Sequence, residues 1–513
     1  MNAADLAVFD ALFSGIAEEM GEALARAATS VNIKERRDLS CALFDAEGRL
    51  VSQAAHIPVH LGAMALSVRA ALESGPLEPG DVVLLNDPWA GGTHLPDLTA
   101  VASAGEFIVA NRAHHADIGG GAPGSLGLAR DIHGEGLRIP PVRLIKRGKL
   151  DEDLMRLFCA NVRAPGERRQ DLEAQVATLQ RGATRLAEAR ERMGLARLLE
   201  AADALRSVAR EAALRVVRAI PSGRHEFEDA LDGGLTIRVA IEALEDSLRV
   251  DFAGTHAQVE QPLNANLAVT LSAVTYALAL LLPEETPLNE GVHGVIDLHA
   301  PEGTIVNASY PAAVAGGNVE TSQRIVDVVL GALAQALPDR IAAASQGTMN
   351  NLTVGGAGFT YYETMAGGAG GGPRRGGASA VQVHMTNTRN TPIEALENGL
   401  PFRVERLEVR RGSGGPGAHA GGDGVRKVLR FLAPCVVHLL TDRRELEPYG
   451  LAGGKGGAMG RNSLMRAGSD GWEVLTGRCG FTVQPGDRLM LESPGGGGFG
   501  PQASDPPVQF RSS

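Results

Sequence analysis

Histidines and carboxylates carry most of the chemistry legible in this chain, and they are crowded into one stretch. Six of its 13 histidines (His56, His60, His94, His114, His115 and His133) fall between residues 56 and 133, where an even spread would place about two. Imidazole is the commonest protein ligand for a metal ion, and its charged form is costly to bury. The sharpest element is Gly91-Gly92-Thr93-His94-Leu95-Pro96-Asp97. Its glycines permit a tight turn at the end of a strand, and Pro96 stiffens the link so that His94 and Asp97 can face one point. A second element, Arg112-Ala113-His114-His115-Ala116-Asp117, also follows a strand pattern. Two such strand ends side by side would supply nitrogen and oxygen ligands to a divalent cation. Without thiolates, zinc, iron(II) and manganese all remain open. A single His-x-x-Asp is a weak pattern, so the inference rests on the two elements together.

The elements that must position these residues follow from periodicity and turn signals. Residues 3–29 space apolar side chains as a helix, and 42–52 (ALFDAEGRLVS) read as a hairpin. A helix is expected over 60–72, with strands over 81–88 and 106–115. Residues 166–219 carry Leu, Ala and Val at three- and four-residue steps, a long helical region. Strand-like pieces follow Pro221–Gly223, then an apolar helix at 267–282 and a mixed stretch to about 345. Beyond 346, short β-type runs alternate with glycine clusters at 367–372, 412–417, 453–457 and 495–498. Those clusters mark either loops of positive φ or places of close backbone approach. The expected architecture is a multi-domain α+β (mixed α/β) fold: a metal-binding domain over 1–165, a helical segment over 166–220, a central domain over 221–345 and a mostly β region over 346–513.

Composition narrows the function classes. At 513 residues the chain exceeds a single compact core. Its net charge of -11 is spread along the sequence, with no basic face for nucleic acid. The four cysteines (Cys41, Cys159, Cys435 and Cys479) form no CxxC pair and read as free thiols of a reducing compartment. The N-terminal helix carries acids and does not resemble a signal peptide; the apolar 267–282 segment is too short and too polar to span a membrane. These features place the protein in the cytoplasm. No GxxxxGK[ST] motif is present, and Gly453-Gly454-Lys455-Gly456-Gly457 lacks its spacing, so ATP is not expected to bind here.

At these residues the chain resembles the hydantoinase B/oxoprolinase family, which includes the B-type subunit of N-methylhydantoinase, the C-terminal part of 5-oxoprolinase and the alpha subunits of acetone and acetophenone carboxylases. The motifs that carry the likeness are NIKERRDLSCALFDAEGRLV (32–51), HIPVHLGAM (56–64), GDVVLLNDPWAGGTHLPDLT (80–99) and NRAHHADIGG (111–120). GNVETSQRI (317–325), MTNTRNTPIEALE (385–397), GSGGPGAHAGGDGVRK (412–427) and PGGGGFG (494–500) continue it in order. The resemblance implies a metal-binding subunit of an ATP-dependent cyclic amidase. Its partner, a hydantoinase A-like ATPase subunit of actin-like type, would phosphorylate the oxygen of a cyclic amide or ketone. The chain would then act within a hetero-oligomer.

Carried over by position, the metal ligands are Glu35, His94, Asp97 and His114. Asp38, one helical turn from Glu35, is an alternative to it, and His115 is an alternative to His114. His114 is preferred because His114-x-x-Asp117 echoes the spacing of His94 and Asp97. Asp117 or His115 is expected to act as base or to orient a ligand. His56 and His60 are candidates to line the pocket. Asn318, Glu320 and Arg324, like the polar run Asn387–Asn390, either face substrate or satisfy buried backbone. The chemistry expected is attack of water on a lactam or imide whose oxygen has been phosphorylated, because amide resonance otherwise keeps the carbonyl inert. A ketone carboxylase alpha subunit, a scaffold for the ATPase and a stand-alone metallohydrolase are the alternatives.

Overall fold

The computed structural model describes residues 1–54 and 57–502. The N-terminal part is built on a seven-stranded antiparallel sheet of Leu39–Asp45 (β1), Leu50–Gln53 (β2), Val82–Leu85 (β3), Asp97–Ala104 (β4), Phe107–His114 (β5), Val142–Lys146 (β6) and Lys149–Leu150 (β7). Its order is β2-β1-β5-β4-β3-β6-β7. Side chains alternate between faces along a strand, and here both faces are covered. Leu43, Ala100 and Val109 pack beneath the helices Ala3–Ala27 and Pro165–Met193 with Phe13, Met20, Leu172 and Leu179. Their neighbours Phe44, Val101 and Ala110 turn the other way, onto Met64 and Val68 of the helix Ala63–Glu73.

The long helical region breaks at Gly194, whose φ of 84° ends Pro165–Met193 before Leu195–Ala219 begins. A four-stranded sheet follows, made of Arg224–Leu231, Leu235–Ala243, Leu248–Asp251 and Ile296–His299. It packs against the helix Ser322–Ala336, which in turn packs on the helix Leu267–Ala279. Ser322–Ala336 is buried on nearly every side, which suits its position between sheet and helix. No helix among the described residues is long and apolar enough to cross a membrane.

The C-terminal region holds a four-stranded and a five-stranded antiparallel sheet, with Leu352, Phe402, Leu429, Val437 and Leu489 between them. The glycine clusters beside these sheets are neither disordered nor mainly loops of positive φ. They are runs of extended backbone laid against one another. Gly415 N–H donates to Gly496 O (2.8 Å), Gly496 N–H to Gly422 O (2.9 Å), Gly422 N–H to Ala369 O (2.8 Å) and Gly371 N–H to Gly497 O (2.8 Å). A Cβ on Gly496 would stand 2.1 Å from Ala369 O, and one on Gly497 would stand 2.0 Å from Tyr449 O. Glycine is required there because the place of a side chain is taken by a neighbouring peptide.

Candidate metal centre

Strand register brings the principal residues together. In the β4–β5 pairing Asp97 lies opposite His114, and in the β1–β5 pairing Leu39 lies opposite Ala113. The rung beyond is closed by His114 N–H donating to Asp38 O (3.0 Å). Asp38, His114 and Asp97 are therefore cross-strand neighbours at one end of three adjacent strands, where side chains meet. His94 arrives from the turn before β4, and His60 from the 3-10 turn Pro58–His60. One nitrogen of His94, one carboxylate oxygen of Asp97 and one nitrogen of His114 lie within 4.8 Å of one another, all buried. The two imidazole rings sit 5.0 Å apart.

The hydrogen bonds decide which atoms are free. Asp97 Oδ2 accepts from Thr93 Oγ1 (2.5 Å) and lies 3.1 Å from His60 Nε2. His60 is held in turn by Ser40 Oγ on its Nδ1 (2.8 Å). His94 Nδ1 lies 3.1 Å from Asp97 Oδ2 and His114 Nδ1 lies 3.4 Å from Asp97 Oδ1, but neither contact has the angles of a hydrogen bond, and His94 Nε2 and His114 Nε2 have no partner at all. Buried polar atoms are seldom left so, and a cluster of them calls for a guest. Burial alone would push the Asp97 carboxyl up. The imidazoles of His94 and His60, together with the close approach of His114, outweigh it and hold the group well below the usual carboxylate range. Burial lowers His94 against the pull of Asp97, which favours a neutral ring with a lone pair to give. Two imidazoles and a carboxylate, with Asp38 Oδ2 3.9 Å from His114 Nδ1, form a donor set for a divalent cation of the zinc, iron(II) or manganese kind.

Asp38, Asp97 and His114 face a cavity of about 20 Å³, room for roughly one water-sized guest; His94 stands behind its wall. Its walls include Asp38, His60, Asp97, His114, Asn318, Tyr362, Thr364, Thr386 and Thr388. Tyr362 stacks on His114 at 4.8 Å. A larger cavity of about 530 Å³ adjoins at Ile57, lined by Ser40, Val51, Leu61, Tyr276 and Leu280 among others.

Other sequence-derived candidates lie elsewhere. Glu35 caps the short helix Val31–Lys34 and is in neither the ligand group nor the cavity wall; Asp38 takes the place beside His114 because the register puts it there. His115 follows His114 along an extended chain and so points to the opposite face, where its Nε2 meets Gln175 Oε1 (2.9 Å). Burial first, then the nearby Arg168, lowers its pKa to about 4. Asp117 accepts from Arg163 Nη1 (2.7 Å) and Arg163 N–H (2.8 Å), away from the cavity. The His114-x-x-Asp117 echo therefore brings no second ligand pair. His56 lies outside the described residues. Asn318 lines the cavity, but Glu320, two residues on in the π-turn Gly317–Thr321, points behind its wall to Asn351 Nδ2 (2.6 Å) and Met349 N–H (3.0 Å). Burial and the nearby Asp442 raise Glu320 to about 8. Arg324 is engaged with Asp442 (2.9 Å), far from a substrate role. Arg36, Tyr362, Thr364 and Thr386 were not singled out from sequence, since no local pattern marks them.

Comparison with known proteins identifies the family. The profile of the family described as hydantoinase B/oxoprolinase matches residues 2–502. The chain is 40% identical to 5-oxoprolinase 1 of Arabidopsis thaliana, over 96% of this chain but only 41% of that protein. It is 30% identical to a protein described as the B-type subunit of a D-/L-hydantoinase from Pseudomonas sp. (strain NS671), over 94% of this chain and 88% of the other. Its fold matches the crystal structure of ATP-dependent caprolactamase from Pseudomonas jessenii with a TM-score of 0.91 and 28% identity, covering 98% of this chain and 91% of that one. Profile, relatives and fold point the same way: the chain belongs to the hydantoinase B/oxoprolinase family.

Proposed function

We propose that this chain is the hydrolytic, metal-holding subunit of an ATP-dependent cyclic amidase. It opens a lactam or imide whose oxygen has been phosphorylated by a separate hydantoinase A-like ATPase subunit, in a hetero-oligomer. The observation that carries this reading is the convergence of unpartnered atoms on His94, Asp97 and His114. Two relatives support the reaction class: one is titled an ATP-dependent caprolactamase, and another, named 5-oxoprolinase, is more than twice as long as the region matched here. What that longer protein carries elsewhere would be supplied to this chain by its partner.

His94, Asp97 and His114 would hold the cation, with Asp38 as the nearest further oxygen. Bound there, a divalent cation supplies a Lewis acid and lowers the pKa of water toward neutrality. Thr93 and His60 fix the Asp97 carboxylate through Oδ2 and leave Oδ1 to the cavity. Asp38 is the carboxylate outside the three ligands that faces the cavity, so it stands as the base candidate in place of Asp117 and His115. The 530 Å³ cavity beyond Ile57 offers space for a ring that the smaller cavity does not.

Metal analysis and turnover of His94→Ala and Asp97→Ala test the assignment. Both variants are expected to fold, to bind no metal and to lose turnover. Unchanged metal stoichiometry in both would remove it. The chain alone is expected to hydrolyse no ATP until the partner is added.

A further inference from the structure

The wall of the 20 Å³ cavity that Asp97 and His114 line also holds Thr364, Thr386 and Thr388, and a buried cation stands behind two of them. Arg36 is fully buried and, among the described residues, forms no ion pair with a carboxylate. Its Nη2 donates to Thr364 Oγ1 and Thr388 Oγ1, each at 3.0 Å, and its guanidinium lies 4.9 Å from the centre of the Tyr362 ring. A buried guanidinium without an anion is costly unless one is supplied.

Counting protons shows where that charge is directed. Thr364 Oγ1 accepts from Arg36 and from Gln382 Nε2 (3.2 Å), which uses both its lone pairs. Its own proton must go to Thr388 Oγ1, 2.9 Å away. Thr388 Oγ1 then has accepted from Arg36 and from Thr364, so its proton goes to Thr386 Oγ1 at 3.3 Å. Thr386 Oγ1 also takes the Thr388 N–H (3.5 Å), and none of the hydrogen bonds found among the described residues takes its own proton. The hydroxyl chain runs one way, from the guanidinium to a last O–H in the wall of the cavity that Asp97 and His114 also line. Hydrogen bonds in such a chain polarise one another.

We propose that Thr386 is a catalytic residue: its hydroxyl, polarised by Arg36 through Thr364 and Thr388, donates a hydrogen bond to the oxygen that gains negative charge when the activated amide is attacked. The threonine keeps its proton throughout and forms no covalent bond. The proposal rests on the hydrolytic reading above and assigns the 385–397 motif a place in it. A preformed donor of this kind, aimed at developing charge in a dry site, contributes about 10²- to 10³-fold in kcat.

Fluoride is a water-sized anion that the cavity can admit, so it probes the donor without knowledge of the substrate. The cobalt(II)-loaded chain is titrated with fluoride by visible absorption. Thr386→Val is expected to bind fluoride at least about tenfold more weakly than the wild type, as befits the loss of a hydrogen bond to a charged group. Cobalt stoichiometry should be unchanged, and Thr386→Ser should stay within about threefold of the wild type. With partner and substrate, Thr386→Val should lower kcat by about 10²-fold or more while KM moves little. Thr388→Val, which cuts the chain one step earlier, should show a smaller loss in both assays. It serves as the test if Thr386→Val does not fold. Unaltered fluoride affinity in a metal-loaded Thr386→Val, or in Thr388→Val if it must stand in, overturns the donor and leaves the metal centre standing. A wild-type chain that takes up no cobalt overturns both.

Discussion

Among the places where a nitrogen-bearing residue stands three positions before a buried aspartate, two solve the burial of that aspartate in opposite ways. On the helix Ser322–Ala336, Arg324 and Asp327 join a network with Arg443, Asp229 and Asp442. Arg324 lies 2.9 Å from Asp442, and Arg443 lies 2.7 Å from Asp229 and 2.8 Å from Asp327. Each carboxylate there has a guanidinium from the same chain. Before β4, Asp97 meets the imidazoles of His94, His60 and His114 and the Thr93 hydroxyl, but no guanidinium or ammonium pairs with it. The first assembly brings its own countercharge; the second leaves room for one from outside. A third buried carboxylate, Glu135, uses neither device. Its Oε1 accepts from Ala315 N–H (2.8 Å), and burial raises it to about 8, so it retains its proton at neutral pH.

The comparison is broken most forcefully by removing one guanidinium. Arg443→Met leaves Asp229 and Asp327 short of a cation in a buried place. It should lower the unfolding free energy by about 3–5 kcal/mol in urea titration. Metal content per folded chain should not change. A variant as stable as the wild type would erase the distinction between the two assemblies.

Withdrawing the external countercharge comes next. At a free metal concentration near 100 times Kd, a bound ion stabilises the folded state by about 2.7 kcal/mol. A chelator should therefore lower the wild-type unfolding midpoint and leave that of Asp97→Ala unmoved. Equal responses in a thermal scan would refute it.

The smallest effect separates the protonated carboxylate from the paired ones. Between the ordinary glutamate value of 4.5 and the folded value of about 8, folded Glu135 holds a proton that the unfolded chain has released. Wild-type stability from this group is thus full below the lower value and falls as pH rises through the upper one. Glu135→Gln has nothing to titrate there. The stability of wild type relative to Glu135→Gln should fall by about 1 kcal/mol between pH 6 and pH 7. A difference independent of pH would mean that Glu135 is ionised in the fold.

Much of the site was legible because it depends on short range. Gly91–Asp97 and the end of the 106–115 strand announce His94, Asp97 and His114 without any knowledge of tertiary structure. The choice of Asp38 over Glu35 depends on the pairing of β1 with β5, which no local pattern encodes. His115 and Asp117 stand away from the cavity for a different reason. Extended chain turns His115 away from His114, and Asp117 is captured by Arg163, forty-six residues further on. Arg324 and Glu320 show the limit of composition, since a dense polar run looks the same whether it faces a substrate or neutralises itself. The helices and most strands followed from periodicity. The association of the glycine runs did not, since their contacts join peptides far apart in the chain, such as Gly422 with Ala369 and Gly371 with Gly497.

The layer of glycine backbone has a consequence for how the C-terminal region meets the outside world. Circular dichroism would count these segments as coil, because they belong to neither helix nor ladder. To a protease or to deuterium they should behave as masonry: every course is mortared by peptide groups, and no side chain offers a handhold.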